Sequence, residues 1–205
     1  MNSHTVYDVG ACYGEWTSTL QSSCLSSSKF YVFEGNPDWK PHLDQIQGVS
    51  NYTMVLSSPW QKTVKWWQIN STADSYYKEN SQHYDHTTYK VVSCKTLDQM
   101  VVYYDLPQPS LLKLDTQGSE LDILSGSNSV LSQTDLVLLE CPIIKYNQGA
   151  PNIQQYLDFM QYRGFVPCYL AEEHYAYSCL LQIDIMFINL YTRSRLYGND
   201  LPNYF

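Results

Sequence analysis

Asp8-Val9-Gly10-Ala11-Cys12-Tyr13-Gly14 near the start and Lys113-Leu114-Asp115-Thr116-Gln117-Gly118-Ser119-Glu120 in the middle decide how this chain is read. The first is a strand end breaking into a glycine turn, where Gly10 and Gly14 let the backbone approach a ligand with no Cβ in the way. The next apolar run, Phe30-Tyr31-Val32-Phe33, closes on Glu34. A glycine turn followed by an acid at the tip of the next strand is how a doubly wound sheet holds an adenosine ribose. Glu34 supplies the two-oxygen acceptor that a pair of ribose hydroxyls needs.

Dinucleotide folds share this layout, yet Asp8 and the missing third glycine argue against a pyrophosphate. A carboxylate at the mouth of the turn repels phosphate and suits a ligand carrying an ammonium and a sulfonium. These residues point to S-adenosylmethionine, with S-adenosylhomocysteine as the product. Asp8 is expected to neutralise the ammonium, directly or through water, or else to cap the following helix.

Outward from these runs, strand-length apolar segments alternate with helix-like ones. Strands are expected at Val6–Val9, Phe30–Glu34, Tyr52–Leu56, Leu111–Asp115 and Leu136–Glu140, and an antiparallel pair at Phe165–Leu170 and Gln182–Leu190. Helices are expected at Glu15–Leu25, Pro37–Ile46, Ser119–Leu131 and Pro151–Arg163, the last opened by Pro and followed by Gly164. This alternation implies an α/β fold on a mostly parallel open sheet. Leu56 and Ser57, just past strand three, are the expected resting place of the adenine, with Ala11 and Gly35 beside the cofactor. About 59–89 the alternation breaks into an aromatic, polar stretch with Trp60, Trp66, Trp67, Tyr76, Tyr77, Tyr84 and Tyr89. It reads as a hairpin at Thr63–Ile69 plus a loop, either a substrate lid or a satellite core.

Asp115 tops strand four, facing strand one across the switch point, and a period of two puts Lys113 on the same face. The pair is either an internal salt bridge or part of the chemistry. Glu120 opens a helix, where the helix dipole favours an acid, and Glu140 ends strand five. His174 is placed on the loop between the last two strands as a spare acid or base. His83, Asp85 and His86 are the one metal-like cluster, but their spacing matches no defined site and no metal is expected.

The 205 residues fit a single domain, 1–205, whose start almost at strand one suggests a minimal domain or one cut from a longer polypeptide. A net charge of −8 and a pI near 4.9, with no Lys/Arg cluster, speak against nucleic acid. No apolar stretch reaches the ~20 residues of a membrane span. Six scattered cysteines without a C-x-x-C pair favour reduced thiols and a cytoplasmic location.

The chain resembles the FkbM family of S-adenosylmethionine-dependent O-methyltransferases over about Val6 to Asn189. Besides the glycine turn, the resemblance rests on Phe33-Glu34-Gly35-Asn36-Pro37, Lys95-Thr96-Leu97-Asp98, the run from Leu112 to Leu121, Leu139-Glu140, Gly164-Phe165, Asp184 and Phe187. It departs at Cys12, where the family usually has Asn, and at the Gly35-Asn36-Pro37 link. The resemblance implies a Rossmann-like class I methyltransferase with a seven-stranded sheet, helices on both faces and an antiparallel last strand. It further implies methyl transfer to a hydroxyl, with a sugar of a glycan or glycoside as the favoured acceptor. Asp115 and Glu140 are the candidate bases, Lys113 is a further catalytic candidate, and Trp66, Trp67, Tyr76, Tyr77 and His174 form the acceptor site. The partners implied are glycosyltransferases, fused or acting alongside. A macrolide or phenol acceptor, a nucleotide-dependent oxidoreductase and a non-catalytic glycan-binding module are the alternatives.

Overall fold

The computed structural model describes residues 4–69, 71–84 and 86–198. In chain order the strands are β1 (Thr5–Val9), β2 (Lys29–Glu34), β3 (Val49–Thr53), β4 (Val55–Leu56), β5 (Thr63–Trp67), β6 (Tyr89–Lys95), β7 (Leu111–Leu114), β8 (Leu136–Pro142), β9 (Phe165–Ala176) and β10 (Cys179–Asn189). The α-helices are α1 (Glu15–Gln21), α2 (Lys40–Leu43), α3 (Leu97–Tyr104), α4 (Glu120–Ser125), α5 (Asn128–Gln133), α6 (Ile153–Tyr162) and α7 (Leu190–Tyr197).

Seven strands form the main sheet in the order β3-β2-β1-β7-β8-β10-β9. All neighbours run parallel except β10, which is antiparallel to both β8 and β9. This is the expected architecture, with the switch point between β1 and β7. Tyr7, Val9, Leu112, Leu114, Val137 and Leu139 are buried in one core with Leu97 and Met100 of α3 and Tyr156 and Met160 of α6. Strands covered on both faces carry unbroken apolar runs for this reason.

Three expectations are corrected. Strand three does not run through Tyr52–Leu56: Met54 N–H makes the last bond to Glu34 O, and the chain then leaves the sheet. Val55–Leu56 instead starts a second sheet, β4-β6-β5, in which Thr63–Trp67 pairs with Tyr89–Lys95. The helical segment 119–131 is two helices, broken at Gly126, where a Cβ would lie 2.8 Å from Ser57 O and 2.9 Å from Thr96 Cβ. Strand β6 and helix α3 were not foreseen. A Thr96–Gln99 capping box starts α3, and both of its reciprocal bonds form.

The turn after β1 fixes the switch point. Gly10 has φ +77°, and a Cβ there would lie 1.9 Å from the carbonyl oxygen of Asp115. Gly14 is also required by packing: a Cβ there would meet Ile46 Cδ1 at 2.3 Å. Gly164 has a similar φ of +79° but open space around it. Gly164→Ala should therefore cost only the left-handed penalty of about 1–2 kcal/mol. Gly10→Ala adds a backbone clash and should cost on the order of 3–5 kcal/mol. Urea midpoints of the two variants measure the difference, and equal losses would refute the close contact.

Candidate active site

The 115–120 run is one loop organised by its last residue. Gln117 and Gly118 take φ of +55° and +99°. The fully buried Glu120 carboxylate accepts from Thr116 N (2.7 Å), Thr116 Oγ1 (3.1 Å), Gly118 N (3.3 Å) and the Tyr156 hydroxyl. It holds the loop shut, a larger task than complementing a helix dipole. The Gln117 amide is thereby aimed across the strand ends, donating to Asp115 Oδ1 at 3.2 Å and Glu140 Oε2 at 2.9 Å.

Glu34 sits where it was expected. Its oxygens accept from Cys12 N and Asn36 N, both at 2.7 Å, which leaves lone pairs over for a ligand. Burial pushes its carboxyl up to about 7, against those two N–H bonds. Cys12 reaches this position through φ +50°, a conformation that Asn adopts more readily than most residues. The Asn expected here and the Cys present differ in that ease.

Asp8 is a correction. It is fully buried; Oδ2 accepts from Thr17 Oγ1 (2.7 Å) and Oδ1 lies 3.2 Å from Lys113 Nζ. Lys113 also meets Asp115 Oδ2 at 3.3 Å and the Trp16 ring at 5.5 Å. Burial opposes its charge, but Asp115 and Asp8 hold the ammonium protonated. A lysine committed to two carboxylates positions Asp115 and is not itself free to exchange protons.

From Asp115 a row of carboxylates crosses the sheet. Leu114 pairs with Leu139, so Asp115 comes one step beyond beside Glu140; Glu140 pairs with Asp184, and Asp184 with Glu172. Burial first, then Asp115, Glu120 and Asp184, push Glu140 well above the usual carboxylate range, with Lys113 opposing. Burial and Asp115 push Asp184 up to about 6 against His174. Gln182 also donates to Glu140, and the Tyr146 hydroxyl to Gln182. Sequence reasoning missed Gln117, Gln182 and Tyr146, which gather here from three separate segments.

Two clefts meet at Asp115, Gly10 and Cys12. One is walled by Glu34, Gly35, Met54, Leu56, Trp66 and Tyr76. The other is lined by Ala11, Tyr13, Trp16, Thr72 and Lys113. Ser57 lines neither: it is buried, with its hydroxyl bonded to Gln61 and, at 3.2 Å, to the Tyr76 hydroxyl. The aromatic stretch is also not a separate platform. Trp66 and Tyr76 pack in a satellite core with Val55, Val64 and Cys94 while facing the Glu34 cleft, and Gly35 admits the indole edge at 2.8 Å from its absent Cβ. Trp67 lies against Tyr89, and Tyr77 donates to Asp122 at 2.9 Å; neither lines these clefts. Ser75 Oγ reaches Thr116 O and Gln117 O, tying this segment to the Asp115 loop. His174 is within β9, not on the connecting loop, with Nε2 3.6 Å from Asp184 Oδ1. Of the His83, Asp85 and His86 cluster, Asp85 and the His83 side chain lie outside the described residues.

The donor set fits S-adenosylmethionine. The first cleft joins an apolar wall to a buried acid with spare acceptor capacity, and the Trp66 indole N–H is buried there without a hydrogen-bond partner among the described residues. The excess of carboxylates at the junction suits a cationic centre.

A fold of this order with its site at the switch point is that of Rossmann-like methyltransferases. The described chain superposes on an FkbM methyltransferase from Methylobacillus flagellatus KT with a TM-score of 0.55 at 13% identity, covering 89% of this chain and 43% of that one. It superposes on magnesium protoporphyrin IX methyltransferase from Synechocystis PCC 6803, solved with bound SAM, with a TM-score of 0.52 at 8% identity over 91% of this chain and 70% of that one. Residues 8–167 match the Methyltransferase FkbM domain, and the chain belongs to that methyltransferase family. A curated relative, hexuronic acid methyltransferase AglP of Haloferax volcanii, is 25% identical over 142 residues, 66% of this chain and 54% of its own length. The chain thus spans about half the length of that relative.

A carboxylate whose pKa is higher folded than unfolded stabilises the fold below its unfolded value and loses that contribution as pH rises through the folded one. Glu34 (ordinary 4.5, folded about 7) and Asp184 (3.8, about 6) both act in this sense. Stability of the ligand-free protein should fall between about pH 4.5 and 7, by on the order of 3 kcal/mol from Glu34. Urea unfolding across this range reads the slope. Glu34→Ala should flatten it, and an unchanged slope would contradict the burial of that charge.

Proposed function

We propose that the protein is an S-adenosylmethionine-dependent O-methyltransferase whose acceptor is a sugar hydroxyl of a glycan or glycoside. The observation that carries this reading is the junction of the two clefts at Asp115, with Glu34 in one and Glu140 across the strand end. In this reading Glu34 accepts the ribose hydroxyls, while Met54, Leu56 and Trp66 flank the adenine. Gly10–Tyr13, which line the second cleft, would hold the amino-acid tail. The bound cofactor supplies an electrophilic methyl group on a sulfonium.

The chain's own residues orient the acceptor and take its proton. Asp115, half exposed and oriented by Lys113 and Gln117, lies where an acceptor oxygen must arrive. Glu140, buried and bridged to it through Gln117, is the proton reservoir behind it. A base of raised pKa suits removal of an alcohol proton near neutral pH, and alignment of acceptor, methyl and sulfur contributes the larger part of the rate. A sugar acceptor is supported by the resemblance to a hexuronic acid methyltransferase and by the polar groups around Glu140. We further read the chain as a single catalytic domain acting with glycosyltransferases.

Incubation with methyl-labelled cofactor and a panel of glycosides, phenols and macrolides tests this reading by mass spectrometry. Label on a sugar oxygen is expected; label solely on other acceptors would refute it. Asp115→Asn should keep cofactor affinity within a few-fold and lower turnover by on the order of 10²–10⁴. Glu34→Ala should weaken cofactor binding at least tenfold, because hydrogen bonds to a charged group contribute about 1.5–3 kcal/mol each. Trp66→Ala should act on cofactor affinity rather than on the acceptor's KM. Calorimetry and steady-state kinetics separate these outcomes.

A further inference from the structure

The outer end of the carboxylate row differs from the rest. Glu172 and His174 lie two apart on β9, and the register sets them opposite Asp184 and Gln182 of β10, so all four share one face. Register shifts between Leu180 and Gln182 and between Asp184 and Ile185 bracket this group. Such bulges re-aim side chains and terminate regular pairing. His174 Nε2 lies 3.6 Å from Asp184 Oδ1 and 4.0 Å from Glu172 Oε2, and one ligand atom from each of the three residues lies within 4.8 Å of the others.

Asp184 Oδ1 is buried and accepts no hydrogen bond among the described residues. A buried carboxylate oxygen without a donor is costly unless a cation answers it. Lys113 cannot do so, because it is committed to Asp8 and Asp115 at the other end of the row. Like charges directly opposite one another on neighbouring strands are destabilising. Glu140, Asp184 and Glu172 stand in that relation, with His174 as the adjacent basic side chain.

We propose that Glu172, His174 and Asp184 hold a divalent transition-metal ion at the outer end of the carboxylate row. One imidazole nitrogen with two carboxylates is a donor set for Zn²⁺, Mn²⁺ or Co²⁺, whereas Mg²⁺ and Ca²⁺ favour oxygen ligands throughout. Bonds of about 2.0–2.2 Å place ligand atoms roughly 3–3.5 Å apart, so closure takes about an ångström of side-chain movement. Exposed Glu172 and half-buried His174 are free to make it. Three protein ligands leave a coordination position open for a hydroxyl or water. This set differs from the His83–His86 cluster, and no spacing motif announces it because its ligands come from two strands.

Co²⁺ added to the chelator-treated full chain tests the site through its visible absorption, and Zn²⁺ calorimetry gives the stoichiometry; neither depends on methyl transfer. One ion per chain is expected. His174→Ala and Asp184→Asn should each weaken binding at least tenfold, and the exposed Glu172→Gln should weaken it severalfold in a protein whose fold is not at risk. His42→Ala, on α2, should leave it unchanged. Absence of Co²⁺ binding by the folded wild-type chain would overturn the proposal, as would binding that persists in both His174→Ala and Glu172→Gln.

Discussion

Lys113 is the cation on which the centre of this molecule depends. It is 5% exposed, and its ammonium joins Asp8 at the end of β1 to Asp115 at the end of β7. Removing one partner of such a buried pair typically costs about 3–5 kcal/mol, because an uncompensated charge is left behind. The pair locks the two strands whose separation defines the switch point. It also turns Asp115 into a fixed group, half exposed and aimed out of the sheet. Farther along the row, at Glu140 and Asp184, burial and neighbouring acids outweigh the opposing charge of Lys113 and raise the carboxyl groups.

Around that pair the chain builds the site from backbone donors and short polar side chains. Glu120 closes the 115–120 loop from beneath, and Ser75 ties the aromatic segment to it from above. The segment is further held by Asn147 donating to Tyr77 O, and by Asn80 N and Gln148 N bonding to Tyr146 O and Lys78 O. Asp74, bonded by Ile69 N and Asn36 Nδ2, lines the Glu34 cleft. The second sheet therefore works as a wall of the first cleft, which explains why Gly35 must lack a side chain beside the Trp66 ring.

Much of this was legible in the residues because it is local. The turn at Gly10, the acid at Glu34 and the run from Lys113 to Glu120 are short, and strands buried on both faces leave unbroken apolar runs. Asp8 was misread because its partners, Thr17 and Lys113, are far along the chain and the ion pair competes with any ligand for it. Strand β6, just past the aromatic stretch, went unread because its residues are mostly exposed and show no sustained apolar run. Trp66 and Trp67 look alike in sequence, yet successive strand residues face opposite ways, so one meets the cleft and the other Tyr89. The acidic row was invisible for a related reason: only the register of β8, β9 and β10 brings Glu140, Asp184 and Glu172 together.

A crystal structure of the protein with S-adenosylhomocysteine tests the central assignment most directly. The ribose hydroxyls are expected within hydrogen-bond distance of Glu34, the adenine beside Leu56 and Trp66, and the sulfur facing Asp115. A ligand bound elsewhere, or one in this cleft with its ribose turned away from Glu34, would contradict it.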